Sequence, residues 1–137
     1  MNRYKYLYSI VNQQIEKTSY AKCPANLYDP IRYVMKAGGK RIRPLLCLLA
    51  CELFGGDYRK ALYPAIGIEI FHNFTLLHDD MMDNADMRRG LPVVHKKWNS
   101  NIALLSGDAM SVIAYKYMSK ASDRLNEILE IFSETAL

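Results

Sequence analysis

The sequence is poor in the residues that build disulfide frameworks, zinc ribbons and membrane spans. It has 3 cysteines in 137 residues. These are Cys23, Cys47 and Cys51, without CxxC spacing, so neither a disulfide scaffold nor a zinc site is expected. Cys47 and Cys51 lie one helical turn apart and read as core filler in a reducing compartment. The longest apolar stretch, 45–51, is far too short to cross a bilayer, so no stable membrane anchor is expected. Met1 leads into a polar, tyrosine-rich segment rather than a signal peptide, and a cytoplasmic location is the default. Strand-like alternation, internal repeats and low-complexity tracts are all missing. So is a strong charge of either sign. The formal net charge of +4 suits anionic small molecules and argues against nucleic acid, whose binders carry a stronger basic stripe.

What is present reads as helix nearly throughout, in one all-α domain spanning 1–137. Tyr4, Leu7, Tyr8, Val11 and Ile15 form a helical stripe ending near Lys17, and Pro24 breaks a connector over 18–26. A short helix over about 30–37 stops at Gly38-Gly39. Pro44 opens an apolar helix that stops at Gly55-Gly56. A long helix follows over about 59–83, with Pro64 in its first turn, and then a polar, basic loop over 84–98. Asn99 or Ser100 caps a helix reaching about Ala121, and Asp123 begins a last one running to Leu137. Leu125, Ile128, Leu129 and Phe132 keep helical spacing with no closing glycine, proline or basic cap, so the chain reads as interrupted. Glu127, Glu130 and Glu134 fall on a helix face that is expected to meet solvent.

The most informative run is Asp79-Asp80-Met81-Met82-Asp83. Asp79 and Asp83 are four apart and stack on one helix face, with Asp80 beside them. Like charges at that spacing cost a helix about 0.2–0.5 kcal/mol, so a cation is expected there. Clustered hard oxygens favour Mg²⁺ or Ca²⁺. Beyond Asp83 the sign reverses in Arg88-Arg89-Gly90. Carboxylates followed by paired arginines suit a metal–diphosphate site, because Mg²⁺ bridges carboxylates to phosphates while guanidinium groups take the remaining oxygens.

A second cluster is Gly38-Gly39-Lys40-Arg41-Ile42-Arg43-Pro44. Its glycines permit close approach of a ligand to the backbone, and Lys40 and Arg43, three apart, can reach one anion together. It is not a P-loop, since the GxxxxGK[ST] spacing is absent. A solvated basic turn is the plainer interpretation of the same residues. His72 lies two helical turns before Asp79 on roughly the same face. His78 projects elsewhere and reads as structural, and His95, in the loop with Lys96 and Lys97, as exposed.

Together these residues resemble a known family. Gly-Gly-Lys-Arg-Ile-Arg-Pro, the run from Phe71 through the DDMMD motif, and Asp86-Met87-Arg88-Arg89-Gly90 follow the order and spacing of the trans-isoprenyl diphosphate synthases, or polyprenyl synthetases. These include the farnesyl and geranylgeranyl diphosphate synthases. Leu105-Ser106-Gly107-Asp108 is similar to the family's helix after the basic loop. The resemblance implies an all-helical bundle of the isoprenoid synthase type around a deep cavity, and a homodimer when full length. By it, Asp79, Asp80 and Asp83 hold Mg²⁺ on an allylic diphosphate and Arg88 pairs with that diphosphate. Lys40, Arg43, His72 and Arg89 hold isopentenyl diphosphate. Phe74, with Thr75 and Phe71, sets chain length. Geranylgeranyl diphosphate is the favoured product, farnesyl diphosphate next, and long-chain products last.

One departure matters. The family's second aspartate-rich motif is absent, so the chain resembles the N-terminal part of a synthase and is expected to be poorly active alone. Two other readings stand beside prenyl transfer: a terpene cyclase, against which Lys40, Arg43 and Arg89 count, and a non-catalytic partner of a full-length synthase.

Overall fold

A computed structural model of the chain describes residues 2–18, 20 and 23–137. Seven helices appear among them: α1 (Arg3–Lys17), α2 (Ala25–Lys36), α3 (Ile42–Leu53), α4 (Tyr58–Met82), α5 (Val94–Lys97), α6 (Ser100–Met118) and α7 (Leu125–Ala136). Between α4 and α5 two short strands, β1 (Met87–Arg88) and β2 (Leu91–Pro92), pair antiparallel. The expected all-α class holds, since the only strands among the described residues are this two-residue pair. Part of the connector expected over 18–26 lies outside the described residues.

Helix ends follow local chemistry. The side chains of Asn2, Asp57 and Asn99 accept from the first-turn amides of α1, α4 and α6, satisfying donors that the helix itself leaves open. Pro64 sits in the second turn of α4 and is buried there. Pro30 departs from expectation. It lies inside α2 rather than opening it, because the helix already starts at Ala25, where Leu27 N–H donates to Pro24 O at 3.0 Å. The loop expected over 84–98 contains the β1–β2 hairpin and the single turn of α5, whose short-range order carries no hydrophobic period.

α4 is the central element, packed against α3 on one side and α6 on the other, with α1 and α2 closing the base. Ile66, Ile70 and Leu77 of α4 join Leu7 and Val11 of α1, Ile31 and Met35 of α2, Leu45 and Leu48 of α3, and Met110 of α6 in one core. At the α4–α6 crossing a Cβ on Gly107 would stand 2.2 Å from His78 Nε2, so the glycine makes room for the ring. His78 thereby reaches Leu104 O at 3.2 Å, the structural role its sequence position suggests. α7 buries no residue completely and rests on α4 and α6 through Phe132, whose ring lies 5.1 Å from Phe71 and 5.0 Å from Tyr115. Glu127, Glu130 and Glu134 of α7 are exposed, as the sequence suggests.

His95 corrects the expectation of an exposed side chain. It is half-buried, and both ring nitrogens lie out of solvent with no hydrogen-bond partner among the described residues. The buried neighbours Val93 and Val94 draw this turn into the protein.

Candidate active site

The C-terminal end of α4, the hairpin behind it and the loop before α3 build one site. Asp83 N–H closes α4 on Asp79 O at 2.8 Å, and Asn84, at φ 49°, turns the chain out of the helix. The hairpin then reverses over two residues, Arg89 and Gly90, both at positive φ (54° and 76°). This is the dihedral signature of the type I′ turn that suits a two-residue hairpin. It sets Arg89 at the tip, facing the Gly38-Gly39 turn, where Arg89 Nη1 donates to Gly38 O. The Arg89 guanidinium carbon lies 3.2 Å from the position a Cβ on Gly39 would take, so only glycine leaves that space.

The three aspartates part company. Asp79 and Asp83 are exposed, one turn apart on the same face. Asp80 is 6% exposed and accepts from Arg88 Nε with both carboxylate oxygens at 2.9 Å. Among the described residues no group of three or more His, Cys, Asp and Glu side chains could hold a metal by itself. A two-carboxylate set still fits Mg²⁺, which keeps several waters and is usually bound through one or two carboxylates plus substrate phosphates. The cluster expected from sequence is therefore two exposed carboxylates and one that fixes an arginine. Its helical spacing already separated Asp80 from the other pair, but the partner of Asp80 was out of view.

The cations gather on the neighbouring face. Lys40 and Arg43 are exposed, and Arg43 Nη1 donates to His72 Nε2 at 3.1 Å. Arginine has no acceptor atom, so His72 is neutral with its proton on Nδ1. Burial, and then the Arg43 charge, hold the His72 pKa below the ordinary histidine value. Burial, and then Arg41, likewise lower that of Arg89. Sequence reasoning named all four residues and missed Arg41, whose side chain is buried in an ion pair with Glu69 at 2.6 Å. A glutamate inside the apolar run 66–77 was the available signal.

The His72 shift has a consequence for stability. A histidine whose folded-state pKa is depressed binds its proton more readily in the unfolded chain. Its contribution is intact above about pH 6.5, the unfolded value, and is lost as pH falls from there toward the folded value. Wild type is thus expected to lose more stability than His72→Gln between about pH 7 and 5, as read from thermal midpoints; parallel curves would contradict the assignment.

Beside the cations runs a groove of about 990 Å³ between α3, α4 and α7. Its α4 wall steps from Thr75 through His72, Phe71 and Ile68 to Pro64, about 16 Å along the helix and away from Asp79. Cys47 of α3 and Ile128, Ile131 and Phe132 of α7 complete much of the lining. Burial and the neighbouring Cys51 push the Cys47 thiol up to about 11, so it behaves as an inert apolar wall. Phe71 and Thr75 line the groove as expected. Phe74 does not. It is rotated one position around α4, packing edge-on against Phe71 at 5.2 Å and His78 at 4.8 Å, behind the wall rather than in it.

One chain thus combines an all-helical bundle, two exposed carboxylates, a neighbouring set of cations and an apolar groove. The chain belongs to the polyprenyl synthetase family, whose model matches residues 24–137. It is similar to a geranylgeranyl pyrophosphate synthase of Geoglobus acetivorans, with 42% identity over 93% of this chain and 40% of the relative. A solved geranylgeranyl pyrophosphate synthase superposes with TM-score 0.92 at 45% identity, covering 99% of this chain and 42% of that one. A Thermotoga maritima geranyltranstransferase does so with TM-score 0.86 at 36% identity, over 98% and 51%. The chain spans 29–40% of the length of the curated relatives it matches.

Proposed function

We propose that this chain carries the aspartate-rich motif and the paired anion site of a trans-prenyltransferase that joins an allylic diphosphate to isopentenyl diphosphate. The supporting observation is the juxtaposition of two exposed carboxylates, Asp79 and Asp83, with a separate cation set, Lys40, Arg43 and Arg89, beside an apolar groove. Two diphosphates held side by side need two such sites.

In this reading Asp79 and Asp83 hold Mg²⁺ with the allylic diphosphate, in keeping with a class that generally uses this ion. Bound there, Mg²⁺ supplies Lewis-acid stabilisation of charge on the diphosphate oxygens. Arg88, fixed by Asp80, directs its guanidinium toward the same anion and adds charge-assisted hydrogen bonds as the leaving group departs. Lys40, Arg43, His72 and Arg89 hold isopentenyl diphosphate so that its double bond meets the allylic carbon. Ile68, Phe71 and Thr75 take the growing chain and keep water from it.

The product proposed is geranylgeranyl diphosphate, with Phe71 rather than Phe74 limiting length, because Phe71 faces the groove and meets Phe132 edge to face. A homodimer and a cytoplasmic location complete the proposal. The exposed Leu105 and Val112, seven residues apart on α6, support the dimer, and light scattering and cell fractionation test the two.

The deciding experiment incubates the protein with farnesyl diphosphate, isopentenyl diphosphate and Mg²⁺. A twenty-carbon product is expected, in low yield because the second aspartate-rich motif is absent, and Phe71→Ala should lengthen it. Consumption of the allylic substrate without isopentenyl diphosphate would point to a cyclase instead. Failure of the chain to bind either substrate would end the proposal.

A further inference from the structure

Among the described residues four non-glycine residues have positive φ, and two of them are Arg41 (51°) and Arg89 (54°). Such backbones persist only where surrounding contacts hold them, and they concentrate at working sites. One chain of hydrogen bonds, buried except at its Arg89 end, joins these two. Arg41 donates through Nη1 to Glu69 Oε1 at 2.6 Å and through Nη2 to Met35 O at 2.9 Å. Asn73, 1% exposed and one turn beyond Glu69, donates through Nδ2 to Glu69 O at 2.8 Å and to Glu69 Oε1 at 3.2 Å. Both of those atoms only accept, so the amide is locked with its oxygen turned the other way. That oxygen receives Arg89 Nη1 at 3.3 Å.

We infer that Asn73 is a positioning residue for anion binding: locked by Glu69, its carbonyl aims the Arg89 guanidinium at the ligand without neutralising it. The contrast with Arg88 carries the argument. Arg88 is oriented by a carboxylate, Asp80, which cancels much of its charge. Arg89 has Gly38 O and Asn73 Oδ1, both neutral, as its recorded acceptors, so its full charge stays available. An aspartate at position 73 would hold the guanidinium more tightly and cancel what it offers. The role of Arg89 in binding diphosphate rests on the function proposed above; the assignment of Asn73 is additional to it.

The two are separated by a double-mutant cycle on this chain, with inorganic diphosphate as the probe in calorimetry without added metal. Wild type is expected to bind, and Arg89→Ala to bind more weakly. Asn73→Ala should weaken binding about tenfold, since loss of aim at a fixed charge costs a sizeable fraction of its effect. In the Arg89→Ala background Asn73→Ala should change binding no further. A merely structural role for Asn73 would weaken both backgrounds equally, and that result, or wild-type affinity in Asn73→Ala, overturns the inference alone. Absence of diphosphate binding by wild type, or an Arg89→Ala variant that binds normally, overturns the underlying reading and the inference with it. Gly39→Ala provides a second route that leaves Glu69 and Asn73 intact. Its Cβ would stand 3.2–3.4 Å from the Arg89 guanidinium atoms and displace them, and at φ 141° it also strains the turn itself, so a comparable loss is expected with Arg89 present and a much smaller one with Arg89→Ala. Near-wild-type binding by Gly39→Ala would count against aim as the operative quantity. Far-ultraviolet circular dichroism confirms that each variant compared is folded.

Discussion

Asp79→Ala is expected to weaken Mg²⁺-dependent binding of an allylic diphosphate about a hundredfold, while leaving isopentenyl diphosphate binding nearly unchanged. Only two carboxylates at the end of α4 face solvent, since Asp80 is engaged by Arg88. Removing one of two therefore takes away half the protein's share of the coordination. Loss of a mere outer partner of a metal ligand already costs about 10–100-fold, and a direct ligand belongs at the top of that range. Asp83→Ala should behave alike. Asp80→Asn should behave differently, lowering affinity in the presence and absence of Mg²⁺ alike, because it frees Arg88 rather than removing a ligand. Calorimetry with geranyl diphosphate, with and without Mg²⁺, distinguishes the two patterns. Equal Mg²⁺ dependence in wild type and Asp79→Ala would contradict the assignment.

The largest expected loss of stability comes from the buried pair Arg41–Glu69. Both side chains are nearly inaccessible, 3% and 4% exposed. Removing one partner leaves the other charge buried and uncompensated, at a cost of about 3–5 kcal/mol. Arg41→Met should therefore take away a large part of the about 5–15 kcal/mol that typically holds a domain together. The double variant Arg41→Met, Glu69→Leu should recover much of the loss, because an apolar pair of similar volume avoids desolvating either charge. Urea unfolding midpoints measure both. A single variant costing under about 1 kcal/mol, the range of exposed pairs, would show that the pair is hydrated in solution.

Much of this architecture was legible in residue order, for reasons that differ by element. Helix ends at Gly38-Gly39 and Gly55-Gly56, and the Asn99 cap, depend on contacts within a few residues, so the sequence contains them. The aspartate run at the end of α4 was legible for the same reason, because helical spacing alone puts Asp79 and Asp83 on one face. What escaped depends on residues far apart in the chain. Arg88 meets Asp80 only once the hairpin folds back, and Arg41 meets Glu69 across a separation of 28 residues. By the resemblance, Phe74, five residues before Asp79, forms the floor of the groove. Only the position of α7, over Phe71, decides which face of α4 the groove follows. The lysine neighbours of His95 suggest an exposed ring, and the buried Val93 and Val94 outweigh them.

The central claim is that one face of this chain holds two different diphosphates at two different kinds of site. Calorimetric titration of the wild-type chain with isopentenyl diphosphate and with geranyl diphosphate, each with Mg²⁺ and with excess chelator, tests it most directly. Isopentenyl diphosphate is expected to bind equally with or without Mg²⁺, through Lys40, Arg43 and Arg89, and geranyl diphosphate far more tightly with Mg²⁺, through Asp79 and Asp83, than without it. Competition between the two ligands for one site, or a shared response to the chelator, would contradict the claim.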